Sequence, residues 1–229
     1  MPRKLIVPVW ILAILVLIFC ATLFLSAKEP AYFAPYFGGL TPSLTVLAVG
    51  VLGLLGFSGL QRQTKLHAGL SGLRTPTFGR IIMLAVLFSI PAIMMDLILR
   101  FPMGINIPAP DSLVFYPVMA VVAEILFHIL PLYALQTLSL TGKQGDRLSG
   151  SNIFYSAALI EPVFQSWYAL GGGGPGLLDA LVFLHVLVFN LCQLHLFRRF
   201  GFAAMLLLRL VYYLLWHIVW GHIRLPLLY

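Results

Sequence analysis

Glu124 and Glu161 each stand near the middle of an apolar stretch long enough to cross a bilayer, and His128, His185 and His217 occupy similar positions. A carboxylate or imidazole in hydrocarbon is costly, so it faces a cavity, a partner or a metal. Such groups at comparable depth point to a buried polar site with metal-binding or catalytic chemistry. Glu124 and His128 are four residues apart and share one helix face. A Glu and a His on one face, completed by ligands from neighbouring helices, can build a metal site in a helix bundle. Zinc accepts imidazole nitrogen and carboxylate oxygen and can keep one position for water. That water becomes a nucleophile as its pKa falls toward about 7, and a nearby free Glu then serves as general base. The bland alternative is a Glu–His hydrogen bond that only ties helices together.

Each remaining group has a similar pair of readings. Glu161 has Gln165 one turn later on its face. The alternative there is a protonated Glu bonded within the bundle, beside backbone opened by Pro162. His185 precedes Asn190 by five residues, a poor alignment; read alone, it is a hydrogen-bonded interior histidine before it is a ligand. Arg209 lies about two turns before His217 on roughly the same side. It can balance a buried carboxylate, hold a substrate carbonyl or carboxylate, or snorkel to the membrane edge. His67, His195 and His222 fall near span ends or in loops and are read as solvated. Asp96 and Asp179 are read as interfacial, and Trp220 and Tyr229 as interfacial anchors.

The elements that must carry these groups follow from composition. The 229 residues are 61% hydrophobic and 9% charged, with mean hydropathy +1.00. A soluble domain has about 25% charged residues, so this chain is expected to be an integral membrane protein. The net charge of +7 sits in short segments rather than in a stripe interleaved with aromatics, which argues against nucleic-acid binding. Cys20 and Cys192 form neither a disulfide framework nor a zinc motif, and both are read as small buried side chains. The stretch Leu5 to Ala27 exceeds a signal-peptide core of about 7–15 residues and is read as a retained helix.

A helix needs roughly 20 apolar residues to cross the hydrocarbon. Stretches at about 5–27, 41–60, 81–99, 113–140, 152–170, 177–197 and 201–223 meet that length, which predicts an all-α bundle of about seven transmembrane helices. Residues 1–229 form a single membrane domain, and no internal repeat is visible. Arg3 and Lys4, then Arg62, Lys65, Arg74 and Arg80, then Lys143 and Arg147, then Arg198 and Arg199 all fall on one side with seven crossings. That side is expected to be the cytoplasm of a bacterial plasma membrane, with the C-terminus opposite. Gly171–Gly174 before Pro175 reads as a flexible hairpin. Pro91, Pro131 and Pro162 are expected to kink or open their helices. Measured from the basic edge at 1.5 Å per residue, Glu124 and His217 lie roughly 25 Å deep, His128 and His185 roughly 20 Å and Glu161 roughly 15 Å. Four spans are thus expected to converge these side chains on one cavity.

The stretch Ala123-Glu124-Ile-Leu-Phe-His128-Ile resembles the first motif, Glu-Glu-x-x-x-Arg, of the CAAX-protease and bacteriocin-processing family of intramembrane metallopeptidases. Glu124 matches the second Glu, while Ala123 replaces the first and His128 the Arg. The family's next motif is Phe-x-x-x-His, and here Tyr155-Ser-Ala-Ala-Leu-Ile-Glu161 places Glu161 at the His and Ala157 at the Phe. The last is His-x-x-x-Asn, after a turn often reading Arg-x-Gly. Arg198-Arg199-Phe200-Gly201 leads to His217-Ile-Val-Trp-Gly221, so His217 matches and Gly221 replaces the Asn. The resemblance covers roughly residues 80–222.

The resemblance implies hydrolysis of a membrane-anchored peptide or protein by a Glu- and metal-activated water. Glu124, Glu161 and His217 would be catalytic. His128, His185, His217 and Glu161 would hold a divalent metal, zinc foremost. Distant members of the broader group are thought to be non-proteolytic, which makes a membrane scaffold or partner-binding protein on the same fold the main alternative. A lipid or pigment site on that scaffold, and a Glu/His iron-dependent membrane oxidase, are further ones. Membrane lipid and a membrane-protein partner are the expected associates.

Overall fold

The computed structural model describes residues 8–63, 75–141, 150–169 and 176–229. The segments holding Arg3, Lys4, Lys65, His67, Arg74, Lys143, Arg147 and the Gly171–Gly174 run lie outside the described residues. Helices α1 (Val9–Lys28), α2 (Pro42–Gln63) and α3 (Thr75–Leu99) are followed by α4 (Ser112–Leu140). Two short helices, α5 (Gly150–Ala158) and α6 (Ile160–Ala169), precede α7 (Leu177–Phe200) and α8 (Phe202–Leu228). No strand occurs among the described residues. Among the described residues six helices, all but α5 and α6, are long and apolar enough to cross a membrane. Their outer faces carry exposed Leu, Val and Phe, as hydrocarbon requires.

The stretch expected as a fifth span is therefore two helices broken at Leu159. Pro162 supplies the reason. It lacks the amide that would bond the Ala158 carbonyl, and its ring crowds that same carbonyl. The Asn190 amide of α7 donates to Ala158 O instead, at 3.4 Å. A proline shapes α4 in the same way. Pro131 cannot bond Phe127 O, and the chain widens into a π turn over Ile125–Ile129. A second π turn, Leu214–Trp220, interrupts α8. Pro91, by contrast, sits inside a continuous α3.

Helix α8 is the hub. It packs on α3, α4 and α7, and Phe202, Ala203, Ala204, Met205, Leu206 and Leu208 are all buried. Gly201 alone joins α7 to α8, with φ +89°, a left-handed conformation that favours glycine. So tight a turn makes the two helices an antiparallel hairpin whose register counts outward from Gly201. Helices α5 and α6 lie along α7, and α1 packs on α2 and α4.

Helix α2 meets α4 through a glycine face. A Cβ on Gly53 would stand 2.9 Å from the Ile125 side chain, and one on Gly56 3.2 Å from Leu130. The contacts advance together along both helices, so α2 and α4 run parallel and α2 braces the π turn beside Glu124. At the other end of the bundle Lys28 Nζ meets Asp111 Oδ1 at 2.6 Å, and the Tyr32 hydroxyl donates to Asp111 Oδ2 at 3.0 Å. The hydrogen bond from Lys28 holds the Asp111 carboxyl below the usual aspartate range.

Gly53→Leu is expected to destabilise the bundle by about 1–3 kcal/mol through overpacking against Ile125. Gly79→Ala, where nothing lies within 4 Å, is expected to be neutral or slightly stabilising. Thermal unfolding of both variants in detergent checks the contrast.

Candidate functional site

Three of the predicted residues meet around a side chain from the hub helix. Arg209 Nε donates to Glu124 Oε1 at 2.6 Å, while its two terminal nitrogens reach Glu161 Oε1 and Oε2, each at 2.7 Å. Glu161 is thus held by a bidentate pair, the strongest arrangement available to a carboxylate. Gln193 of α7 closes the ring. Its carbonyl accepts from Arg209 at 2.8 Å and its amide donates to Glu124 Oε1. Gln165 donates to Glu161 Oε1 at 3.1 Å, the intrahelical partner its spacing suggested.

The guanidinium also lies over the rings of Phe189 and Tyr213, 5.6 and 5.8 Å from their centroids, and it donates to the Tyr213 hydroxyl at 3.3 Å. Arg209 is 2% exposed, Glu161 1% and Glu124 0%, so these charges are removed from water and lipid alike. Gln193 and Arg209 are each eight residues from Gly201, so the glycine turn itself sets them side by side. Arg209 balances buried carboxylates rather than snorkelling.

His128 completes one edge. Its Nδ1 lies 2.9 Å from Glu124 Oε2, an ion-pair distance without hydrogen-bond alignment. His128 is fully buried, and its Nε2 has no hydrogen-bond partner among the described residues. With both carboxylates ionised, Arg209 alone leaves the cluster one positive charge short.

His185 and His217 do not join this cluster. His185 Nε2 pairs with the Tyr212 hydroxyl at 3.2 Å and packs on the edge of Phe88. It is a hydrogen-bonded interior histidine. His217 stacks on Tyr116 with ring centroids 4.5 Å apart and meets the Tyr213 ring edge-on at 4.9 Å. Two turns of α8 separate it from Arg209.

A second buried arginine fastens the far end of α8. Arg224 Nε and one terminal nitrogen grip Asp96 of α3 at 2.5 and 2.8 Å, and the other terminal nitrogen donates to Asn106 Oδ1 at 2.7 Å. Trp220 Nε1 donates to Asp96 Oδ2 at 2.7 Å. Asp96 and Arg224 are 0% exposed and Trp220 is 9%, so Asp96 is a buried ion-pair partner and Trp220 packs beside it within the bundle. The Asn106 amide donates to the His217 carbonyl at 3.1 Å, a group that the π turn leaves available. A Cβ at position 221 would collide with that Asn106 amide, which is why a glycine stands there. Cys20, expected to be buried, lies exposed on α1, and Cys192 is half-buried.

Among the described residues no three His, Cys, Asp or Glu side chains come together as a metal would need. The donor set fits zinc poorly. Glu161 is wholly engaged by Arg209 and Glu124 half so, and a cation placed there would have to displace the guanidinium.

Two residues of this network escaped the sequence reading. Gln193 is uncharged and so less conspicuous than Glu or His, although an amide in hydrocarbon also demands a partner. Asn106 lies between spans, where polarity attracts no notice. Comparison with protein-family models, curated proteins and solved structures finds no match.

Removing Arg209 alone should strand two buried carboxylates. Arg209→Leu is expected to cost at least about 3 kcal/mol, whereas Arg209→Leu combined with Glu124→Gln and Glu161→Gln is expected to recover much of that loss. Unfolding midpoints in detergent for the single and triple variants check this.

Proposed function

We propose that this chain is a non-proteolytic membrane protein, a scaffold or binding partner, on a helix bundle like that of the intramembrane metallopeptidases it resembles. The observation that carries the reading is Arg209. From α8 it is Arg209 that bonds Glu124, and Tyr213, four residues on, accepts from the same guanidinium, at the spacing of the family's His-x-x-x-Asn motif. His217 and Gly221 share that spacing but stand two turns further along. A guanidinium neither accepts a proton at physiological pH nor binds a metal. It converts a place where an imidazole could act on water into an ion-pair lock. The carboxylates then stabilise Arg209 and are not free to activate a nucleophile.

One feature supports the hydrolytic reading as a second choice. Glu124 Oε2 addresses only His128, whose Nε2 is unengaged among the described residues. An imidazole beside a carboxylate can take a proton from water or a hydroxyl. The deciding experiment combines metal analysis with cleavage of lipid-anchored reporter peptides, using purified protein with and without added zinc. Substoichiometric metal and no cleavage above the Glu124→Gln background are expected. Turnover that Glu124→Gln abolishes while the variant stays folded, or one zinc per chain lost in that variant, would overturn the scaffold reading.

We also infer that α5 and α6 together make a seventh crossing of a bacterial plasma membrane, with the basic segments in the cytoplasm. Two contacts support it. Arg198, near the end of α7, lies over Phe154 at 5.8 Å, and Asn190, further back along α7, bonds Ala158. The pair thus climbs α7 in the antiparallel sense. A C-terminal alkaline phosphatase fusion is expected to be active, placing the C-terminus outside. An inactive phosphatase with an active cytoplasmic reporter at the same site would mean six crossings.

A further inference from the structure

Between α2 and α4 a groove opens sideways to the membrane. Leu52, Leu55 and Leu130 wall its deep part, Gly56 and Gly59 let the helices form its floor, and Ser58, Tyr133 and Arg62 stand toward its other end. Leu55 is 61% exposed and Arg62 is exposed, so the groove is open along its length.

Three properties select what fills it. Polarity is graded, apolar at Leu52 and cationic at Arg62. From Leu52 to Arg62 the groove runs about 15 Å at 1.5 Å per residue. That is one leaflet, half of a hydrocarbon core about 30 Å thick. A packed transmembrane helix would use the full thickness, whereas an acyl chain occupies half and ends at a phosphate. The cation stands where that phosphate would lie, as basic residues near a membrane surface recognise anionic lipid.

We propose that the α2–α4 groove binds one anionic phospholipid, an acyl chain along Leu52, Leu55 and Leu130 and the phosphate at Arg62. The site is separate from the Arg209 cluster and does not depend on the scaffold reading. Gly56 and Gly59 matter because they let α4 approach, since a Cβ on Gly56 would stand 3.2 Å from Leu130 and one on Gly59 would collide with the Tyr133 ring. Arg62 sets headgroup preference, and the leucines hold the chain without regard to charge.

The test is competition in detergent between phosphatidylglycerol and phosphatidylcholine with matched acyl chains, read by native mass spectrometry of the full chain. Wild type is expected to retain phosphatidylglycerol about fivefold better. Arg62→Gln should abolish that preference while its melting temperature without added lipid stays at the wild-type value. Leu55→Trp, on the open side, should lower retention of both lipids. Soluble glycerol phosphate should not compete. Equal retention of both lipids by wild type, a preference that survives Arg62→Gln, displacement by glycerol phosphate, or a protein chain seated in the groove would each overturn the proposal.

Discussion

A guanidinium stripped of water needs carboxylates within hydrogen-bonding reach, and the interior of this bundle is arranged around that need. Arg209 finds Glu124 on α4, Glu161 on α6 and Gln193 on α7, so one side chain ties the hub helix to three others. Each partner arrives by a local device. The Gly201 turn sets Gln193 opposite Arg209. The helix break before Pro162 orients Glu161, and the π turn after Glu124 turns His128 against its carboxylate. Desolvation makes such a cluster poor value as net stability, and a well-packed apolar replacement is often as stable. What it confers on this bundle is register, because sliding or rotating any of the four helices would part Arg209 from Glu124, Glu161 or Gln193.

The same logic recurs at the far end of α8. Arg224 grips Asp96 and Asn106 and donates to the Phe101 and Pro102 carbonyls of the loop after α3. Arg209 and Arg224 therefore pin one helix at two depths, about 22 Å apart along a regular helix. Between the pins lies the π turn Leu214–Trp220. A π turn absorbs an extra residue without breaking the helix, so it lets both arginines meet fixed partners on other helices. The carbonyl it leaves available at His217 is satisfied by Asn106, which belongs to the second pin. The irregular turn and the second lock are thus one construction.

This arrangement decides how the buried acids are read. A carboxylate in a membrane protein serves chemistry only when some of its lone pairs face reactant. Glu161 gives both oxygens to Arg209, and Glu124 keeps one oxygen, which among the described residues lies against His128 alone. Under the proposed scaffold reading, these locked acids hold the bundle in one shape rather than serve a reaction.

Composition and hydrophobic run length were enough to determine a helical membrane chain, because hydrocarbon allows few other backbones and the charged fraction is too low for a water-facing surface. Pairings within one helix were legible too. Glu124 with His128 and Glu161 with Gln165 follow from a four-residue spacing, and the opening at Pro162 follows from a missing amide. Pairings between helices were not. Helix rotation and register depend on contacts such as Gly53 against Ile125 and on a one-residue turn at Gly201, and no periodicity encodes them. Depth alone suggested that His185 and His217 would join the glutamates, yet similar depth does not mean the same side of a helix. Tertiary structure turned those two rings toward tyrosines and placed Arg209, a side chain with three readings in the sequence, at the centre. A buried charge goes where its counter-charges are, and only the folded chain specifies where that is.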